Sequence, residues 1–266
     1  YCLLSFVVLL VAAPIRAQSS TDAAPESILT LALRSVDADG ADTTENRRVP
    51  VSETALLICD MWDKHWCGFA SKRVDAMAPE MDKLVAAARD AGIQIIHAPS
   101  ETLDFYRDHP ARRRMRDVPR AKPPKPRRIA EPPLPIDDSD GGCPDDDKMY
   151  KAWSRQHPAI RIADEDAISD DGREVYSFLR HKGIDTLIVM GVHTNMCVLG
   201  RSFGIRQMTR WDIDCVLVRD LTDTMYNPAM PPHVPHDKGT ELVVRHIERY
   251  WCPSTLSTEL RAGLPQ

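Results

Sequence analysis

Two residues in this sequence could together cleave an amide bond. Asp60 follows the apolar run ALLIC, and Cys197 lies far along the chain in GVHTNMCVLG, after the apolar run TLIVMG. A cysteine thiol attacks a carbonyl carbon once a neighbouring base removes its proton, and a carboxylate can be that base and return the proton to the leaving group. These residue types therefore predict a covalent thiol hydrolase, provided that the fold brings them together.

The pattern of apolar segments predicts that they meet. Short, branched apolar runs alternate with amphipathic segments of helical spacing, such as the one that ends near Gly92. The alternation favours an α/β fold class, a doubly wound and mostly parallel sheet flanked by helices. Ligands of such sheets bind beyond the carboxyl ends of the strands, where Asp60 and Cys197 fall. We expect strands at residues 55–59, 93–98, 186–191 and 213–218, with a further candidate at 159–162.

The position of Cys197 suits a nucleophile. It opens what the pattern predicts to be the next helix, and the positive end of a helix dipole favours the thiolate. The free N–H groups there can bind the oxyanion of a tetrahedral adduct. A single cysteine is more often a buried, inert side chain, and a single aspartate often only caps a loop. The prediction therefore depends on their joint placement at neighbouring strand ends.

The strand that ends in Asp60 and the segment GIDTLIVMGVHTNMCV, from Gly183 to Val198, resemble the isochorismatase-like cysteine hydrolases. This family includes nicotinamidases, isochorismatases and N-carbamoyl amide hydrolases, and the resemblance runs from about residue 54 to 220 with a large insertion. It implies a Rossmann-like three-layer fold, with Cys197 as nucleophile and Asp60 as acid/base. It also implies an oxyanion hole made by the backbone N–H groups of His193 and Cys197, and a cis Val192–His193 peptide.

The sequence departs from the family at the third member of the triad. The resemblance implies a lysine after the third strand, but the segment IADEDAISDD carries Asp164, Glu165 and Asp166 there. A carboxylate cannot supply the missing positive charge and opposes thiolate formation. Glu165, Asp166 and Lys64 are candidates for the third position or the pocket, with Lys64 or Arg201 as the replacing cation. Trp62 and Asn195 are further candidates for the pocket.

A metal centre is not expected. Nicotinamidase-type members hold a metal through an Asp-x-His pair after the second strand, and HAPSETLDFYRDH has no such pair. We therefore predict no metal and no cofactor, and we expect His97 to be a hydrogen-bonding residue. Capture of a divalent ion by Asp60, Glu165 or Asp166 is the alternative, since hard oxygen ligands suit Mg²⁺ or Ca²⁺.

The amino-terminal composition predicts export. The stretch YCLLSFVVLLVAAPIRAQ is apolar and ends in small residues, which is typical of a signal peptide, residues 1–17, cut near Ala17. A retained membrane anchor is the alternative. We expect residues 18–50 to be a polar leader and residues 51–266 to be one hydrolase domain in a secreted or periplasmic protein.

An unusual insertion interrupts the domain at residues 110–147. Residues 110–136 contain eight prolines, and nine basic residues lie in 112–128, followed by a cluster of aspartates. The prolines exclude a regular helix or a central strand. A solvated surface insertion whose basic and acidic halves attract each other is one interpretation; a lid or a partner-binding edge is the other.

Cysteine content fits an oxidising compartment. Seven cysteines are present, of which Cys67, Cys143 and Cys252 lie in predicted loops. We expect one bridge among these three and favour Cys67–Cys143.

Charge excludes some partners. The net charge of −5 gives no overall attraction to nucleic acid or to an anionic membrane. We predict a small-molecule substrate, no nucleic acid and no membrane association after signal cleavage, and leave homo-oligomerisation open. The predicted activity is cleavage of a C–N bond in a small amide or carbamoyl compound through an acyl-Cys197 intermediate. The alternatives are a non-catalytic binding protein that has lost the lysine, and a vinyl-ether hydrolase of the isochorismatase type.

Overall fold

A computed structural model describes residues 1, 26–145 and 148–265. All of the predicted signal peptide except Tyr1 lies outside the described residues, as does the first part of the predicted leader. The strands are β1 (Ile28–Val36), β2 (Asp42–Pro50), β3 (Thr54–Cys59), β4 (Gln94–Ala98), β5 (Ala167–Ile168), β6 (Thr186–Val192), β7 (Asp214–Asp223) and β8 (Ser254–Thr255). The helices are α1 (Gly68–Asp90), α2 (Pro110–Arg116), α3 (Gly172–Lys182), α4 (Ile205–Arg210), α5 (His236–Tyr250) and α6 (Ser257–Ala262).

The described strands form one sheet in the order β2-β1-β8-β7-β6-β3-β4-β5. β3 to β8 are parallel to one another, while β1 is antiparallel to both β2 and β8. From β3 the chain continues to β4 on one side, and it later returns to place β6 on the other. The predicted doubly wound, mostly parallel sheet is confirmed, and its switch point lies between β3 and β6, where ligands of such folds bind.

Helices cover both faces of the sheet. β3 and β6 are buried at every residue, as expected for parallel strands that pack on two sides. The apolar stripe of α1 packs with α6 on one face, and α3, α4 and α5 pack on the other. This burial holds the ends of β3 and β6 in fixed positions, which the site requires.

The predicted polar leader needs correction. Residues 28–50 form a hairpin of two strands, and β1 joins the central sheet by pairing with β8. Leu29, Leu31 and Leu33 alternate along β1 and are buried in the core. The domain therefore includes β1 and β2 and does not begin at Val51.

Two further local predictions are wrong. The insertion begins with a helix, α2, because Pro110 lies in its first turn, where a missing N–H costs nothing. The candidate strand at 159–162 is irregular, and the edge strand is the two-residue β5.

The insertion is fastened to the body of the molecule. Cys67, the N-cap of α1, is joined to Cys143 by a disulfide, which confirms the favoured pairing. Among the described residues, some basic side chains of the insertion pair with the body of the molecule: Arg112 and Arg120 both bind Glu174 on α3. No described helix has the length and apolar character needed to cross a membrane.

Candidate active site

Asp60 and Cys197 meet at the switch point of the sheet. Cys59 of β3 lies opposite Gly191 of β6, so the residues that follow both strands leave the sheet side by side. The Cys197 thiol and the Asp60 carboxyl group lie within electrostatic interaction distance: after burial, the charge of Asp60 is the largest influence that raises the pKa of the thiol. Asp60 is fully buried, and Cys197 is partly buried. The structure thus brings together the two residues on which the sequence prediction depends.

The backbone of Asp60 is held in an uncommon conformation. Its φ angle is 45°, in the left-handed region that non-glycine residues rarely adopt. Its N–H donates to the carbonyl oxygen of Ala98 at 3.1 Å, and its Oδ1 accepts from the N–H of Ser100 at 2.7 Å. β4 and the residues after it therefore orient the carboxylate. A strained backbone that its surroundings hold in place, like that of Asp60, is typical of a functional position.

Arg201 supplies the positive charge that the sequence lacks after the third strand. Its Nε donates to Asp60 Oδ2 at 2.9 Å. Arg201 lies one turn beyond Cys197, and its N–H donates to the Cys197 carbonyl oxygen at 3.0 Å. Cys197, Asp60 and Arg201 thus form a connected group. Lys64, the other candidate cation, is exposed at the edge of the neighbouring cavity.

The peptide between Val192 and His193 is cis, as the resemblance implies. Thr194–Val198 then forms a single π-helical turn, so Cys197 lies within this turn rather than at the first residue of a regular helix. The His193 N–H opposes the rise in the pKa of the Cys197 thiol that burial causes, so it lies beside the reacting atom. A side chain at Gly191 would collide with the Cys59 carbonyl oxygen at 2.0 Å, so only glycine permits this approach of β6 to β3.

The electrostatics correct the expectation of a resting thiolate. Burial, and then the charge of Asp60, raise the pKa of the Cys197 thiol to about 12, while Arg201 and the His193 N–H oppose the shift. Burial also raises the pKa of Asp60, against Arg201 and Ser100. The resting site therefore holds a neutral thiol beside a carboxylate paired with a guanidinium. Such a thiol needs Asp60 to remove its proton as it attacks.

Glu165 and Asp166 are not near the reacting groups. Asp166 immediately precedes β5, opposite the middle of β4, whereas Asp60 lies beyond the carboxyl end of β3. Asp166 binds Arg89 at 2.7 Å and His97 at 3.0 Å, and Glu165 is exposed. Both candidates for the third position are wrong because these residues lie at the amino end of the edge strand.

Asn195 and Trp62 lie next to the site and have defined partners. The Asn195 amide donates to Asp138 at 2.7 Å and to the Met225 carbonyl oxygen at 3.0 Å, so it ties the insertion to the loop after β7. The Trp62 indole N–H donates to the Ser100 carbonyl oxygen at 3.1 Å. Neither residue takes the third position.

The segment that follows the insertion, residues 148–156, covers the site. Trp153 stacks on Trp62, with ring centroids 4.3 Å apart and an interplanar angle of 13°. Ser154 donates to the Asp63 carboxylate through its N–H and its hydroxyl. The backbones of Gln156 and Trp62 form an isolated antiparallel β-bridge. The cavity beside Asp60 has a volume of only about 10 Å³, roughly the room of one water molecule.

Sequence reasoning missed part of the aromatic wall. His65 lies 5.9 Å from the Trp153 ring and 4.9 Å from the His193 ring, and it lines the cavity with His193. Burial lowers the pKa of His193 to about 3 and that of His65 to about 4, so both are neutral at physiological pH. The indole N–H of Trp153 and Nε2 of His193 are buried without a hydrogen-bond partner among the described residues. No signal in the sequence connects Trp153 with residues about ninety positions before it.

Across residues 26–145 and 148–265, no three side chains of His, Cys, Asp or Glu are grouped to hold a metal ion. His97 contacts Gln156 and Asp166, each at 3.0 Å, and is a hydrogen-bonding residue as expected.

Solved structures share this architecture. A cysteine hydrolase from Pseudomonas syringae pv. phaseolicola 1448A matches with a TM-score of 0.53 and 17% identity over 81% of this chain and 94% of its own. A putative isochorismatase from Burkholderia xenovorans LB400 matches with a TM-score of 0.50 and 14% identity over 80% of this chain and 87% of its own. The chain has the isochorismatase-like fold. At these identities the likeness establishes the fold, and the chemistry must be argued from the site.

No protein-family model matches the sequence, and no curated protein matches it either.

Proposed function

We propose that this isochorismatase-like protein is a cysteine hydrolase that cleaves a C–N bond of a small amide or carbamoyl compound. The observation that carries the proposal is the connected group of Cys197, Asp60 and Arg201 at the switch point of the sheet. A thiol, a base that can take its proton and a cation that holds the base are the parts that acyl transfer to sulfur needs.

The first half of the reaction forms an acyl-enzyme. As the Cys197 sulfur bonds to the carbonyl carbon, its proton passes to Asp60. The N–H groups of His193 and Cys197 donate to the oxyanion of the tetrahedral adduct. The C–N bond then breaks, and Asp60 gives its proton to the departing nitrogen, which leaves as a neutral amine or ammonia.

The second half releases the acid. A water molecule attacks the thioester carbonyl while Asp60 takes one of its protons, and the C–S bond breaks with return of that proton to sulfur. Arg201 keeps Asp60 charged before it takes up each proton. A raised pKa suits Asp60 as a proton carrier because a carboxyl group that is too acidic returns its proton slowly.

Two other functions are distinguished by their requirement for the thiol. A binding protein without catalysis has no need of the Asp60–Arg201 ion pair at the sulfur, whereas that pair is present. A vinyl-ether hydrolase can proceed by protonation without a covalent intermediate, so its activity would survive replacement of Cys197.

The setting of the reaction is part of the proposal. We propose an exported protein acting on a small molecule, without nucleic acid or membrane partners. The Cys67–Cys143 disulfide supports an oxidising compartment.

A panel of small primary amides, carbamoyl compounds and a vinyl ether tests the proposal. We expect release of ammonia or amine by the wild-type protein and a loss of more than about 10³-fold in kcat/KM for Cys197→Ala. Rapid acid quench followed by intact-mass analysis should show the acyl group on wild type and none on the variant.

The matched control is Cys215→Ala, which removes a buried cysteine outside the site. It should retain turnover if circular dichroism shows that it folds. Amide turnover that persists in Cys197→Ala would reject the covalent scheme, and turnover of the vinyl ether alone would favour the isochorismatase-type reaction.

A further inference from the structure

Two cysteines that play no part in the proposed reaction lie next to each other in the core. Cys215 is the second residue of β7, and Cys252 lies between α5 and β8. Both are almost completely buried, with exposed fractions of 3% and 7%. Both are free thiols in the structure.

The register of the sheet places them opposite each other. β7 and β8 are parallel, with Leu217 opposite Ser254 and Val218 opposite Thr255. The Leu217 N–H donates to the Pro253 carbonyl oxygen at 3.0 Å, which extends the ladder toward Cys252. Cys252 lies before β8, and if this register is continued two residues back along both segments it brings Cys215 opposite Cys252.

The two side chains also share one face. Residues two apart on a strand point to the same side, so Cys215 points with Leu217. Cys215, Leu217 and Cys252 all pack in the core cluster on the α3–α5 side of the sheet, and both cysteines line one cavity with Trp251 and Pro253. Neighbouring strands lie about 4.8 Å apart, which falls within the range of Cα separations found across disulfides, about 4.4–6.8 Å.

We propose that Cys215 and Cys252 form a second disulfide, which fastens the end of α5 to β7. The oxidant is a small disulfide such as oxidised glutathione. One cysteine thiolate attacks it and expels one glutathione thiolate, and the second cysteine attacks the mixed disulfide and expels the other. Overall, two cysteine thiols and one oxidised glutathione give one protein disulfide and two reduced glutathiones.

The burial of the two thiols determines whether the bridge forms during folding or after it. The thiolate is the attacking species, and burial raises the pKa of Cys215 to about 12 and that of Cys252 well above its ordinary value. In the unfolded chain both thiols ionise normally and meet the oxidant freely. The bridge therefore closes during folding, and the folded reduced protein reacts slowly.

Mass spectrometry of the refolded protein tests the proposal. The full chain is unfolded and reduced, refolded with reduced and oxidised glutathione, blocked with N-ethylmaleimide and digested with trypsin without reduction. We expect the peptides 211–219 and 250–261 to appear cross-linked, alongside the known Cys67–Cys143 pair. Alkylation of both Cys215 and Cys252, or pairing of either with another cysteine, would overturn the proposal.

Two further measurements sharpen the test. Folded, reduced protein exposed to the same oxidant should form the bridge at least tenfold more slowly, and an equal rate would contradict closure during folding. In a Cys67→Ser background, dithiothreitol should lower Tm by about 5–10 °C. The same treatment should leave the Tm of Cys67→Ser/Cys252→Ser unchanged; an equal fall in both would overturn the bridge.

Discussion

The surroundings of Asp60 shift its pKa in opposite directions. Burial raises its pKa, while Arg201 and the Ser100 N–H lower it. Its charge in turn keeps the proton on the Cys197 thiol. The same carboxylate therefore suppresses the resting thiolate and supplies the base for attack, so its removal should change thiol ionisation and turnover in opposite directions.

The substitution Asp60→Asn tests this directly. Without the negative charge, and with Arg201 unpaired, the pKa of Cys197 should fall, so alkylation by iodoacetamide at pH 7 should become faster than in wild type. Turnover should fall by about 10²–10⁴-fold because the base is lost. Mass spectrometry of the labelled peptide and steady-state kinetics measure the two effects.

The buried Cys215 serves as the internal reference for alkylation. Its labelling should stay slow in both proteins, because the proposed bridge removes the thiol and because burial raises the pKa of the reduced thiol to about 12. Slower labelling of Cys197 in Asp60→Asn would show that the carboxylate promotes the resting thiolate, against the electrostatics described.

Arg201 should set the acidic limit of activity. The guanidinium lowers the pKa of Asp60, so Arg201→Gln should raise that pKa and move the acidic limb of the kcat/KM profile to higher pH. Arg201→Lys keeps the charge and should recover part of the shift. Arg210→Gln removes an arginine that pairs with Glu131 instead, and its profile should match wild type. An unshifted limb in Arg201→Gln would mean that Arg201 does not act on the base.

Among the elements, β5 shows how a two-residue strand is kept in a sheet. Asp166, just before it, binds Arg89 of α1 and His97 of β4. Although burial acts against the charge, the hydrogen bonds from His97 and Arg89 lower the pKa of Asp166 to about 2. Because polar contacts hold β5 in the sheet, its sequence contains no apolar run. The sequence pattern therefore predicted the edge strand at residues 159–162 instead.

Stability should depend on Asp166 in acid. The pKa of Asp166 is lower in the folded protein than in the unfolded chain, where it is near 4, so its carboxylate stabilises the fold above about pH 4. This contribution is lost as pH falls from about 4 to 2. Asp166→Asn should cost about 2 kcal/mol at pH 7 and much less at pH 2.5. Urea unfolding at both pH values measures this. Asp164→Asn, on an exposed neighbour, is the control, and an equal cost at both pH values would contradict the linkage.

The cover over the site should limit access to Cys197. Trp153 stacks on Trp62, and the Arg201 guanidinium lies 6.0 Å from the centre of the Trp62 ring, so this aromatic pair lies over the reacting groups. Trp153→Ala should therefore speed alkylation of Cys197 by small iodo compounds, with a larger gain for bulkier reagents. Met149→Ala, in the same segment but 72% exposed, should leave the rate unchanged. Equal rates in all three proteins would show that the cover does not restrict entry.

At the scale of the whole molecule, the sequence predicted the parallel centre of the sheet and missed one edge. β3 and β6 are buried throughout and easily recognised, and the residues at their ends predicted the Cys197–Asp60 encounter, while the cis peptide was implied by the family resemblance. β2, with the sequence DTTENRRVP, is an exposed edge strand without alternation, so it concealed the hairpin that includes β1. The role of Arg201 depends on a side-chain direction that spacing alone does not fix.

The extent of the domain can be tested through β1. Leu31 is fully buried against the α1 and α6 side of the core. If β1 is an integral strand, Leu31→Ala should cost about 2–5 kcal/mol of unfolding free energy. Thr44→Ala, on the exposed β2, should change stability by less than about 0.5 kcal/mol. Chemical denaturation measures both effects. A strand that fills the core cannot lose a leucine side chain without leaving a cavity. An unchanged denaturation midpoint for Leu31→Ala would therefore mean that residues 28–50 are only a leader.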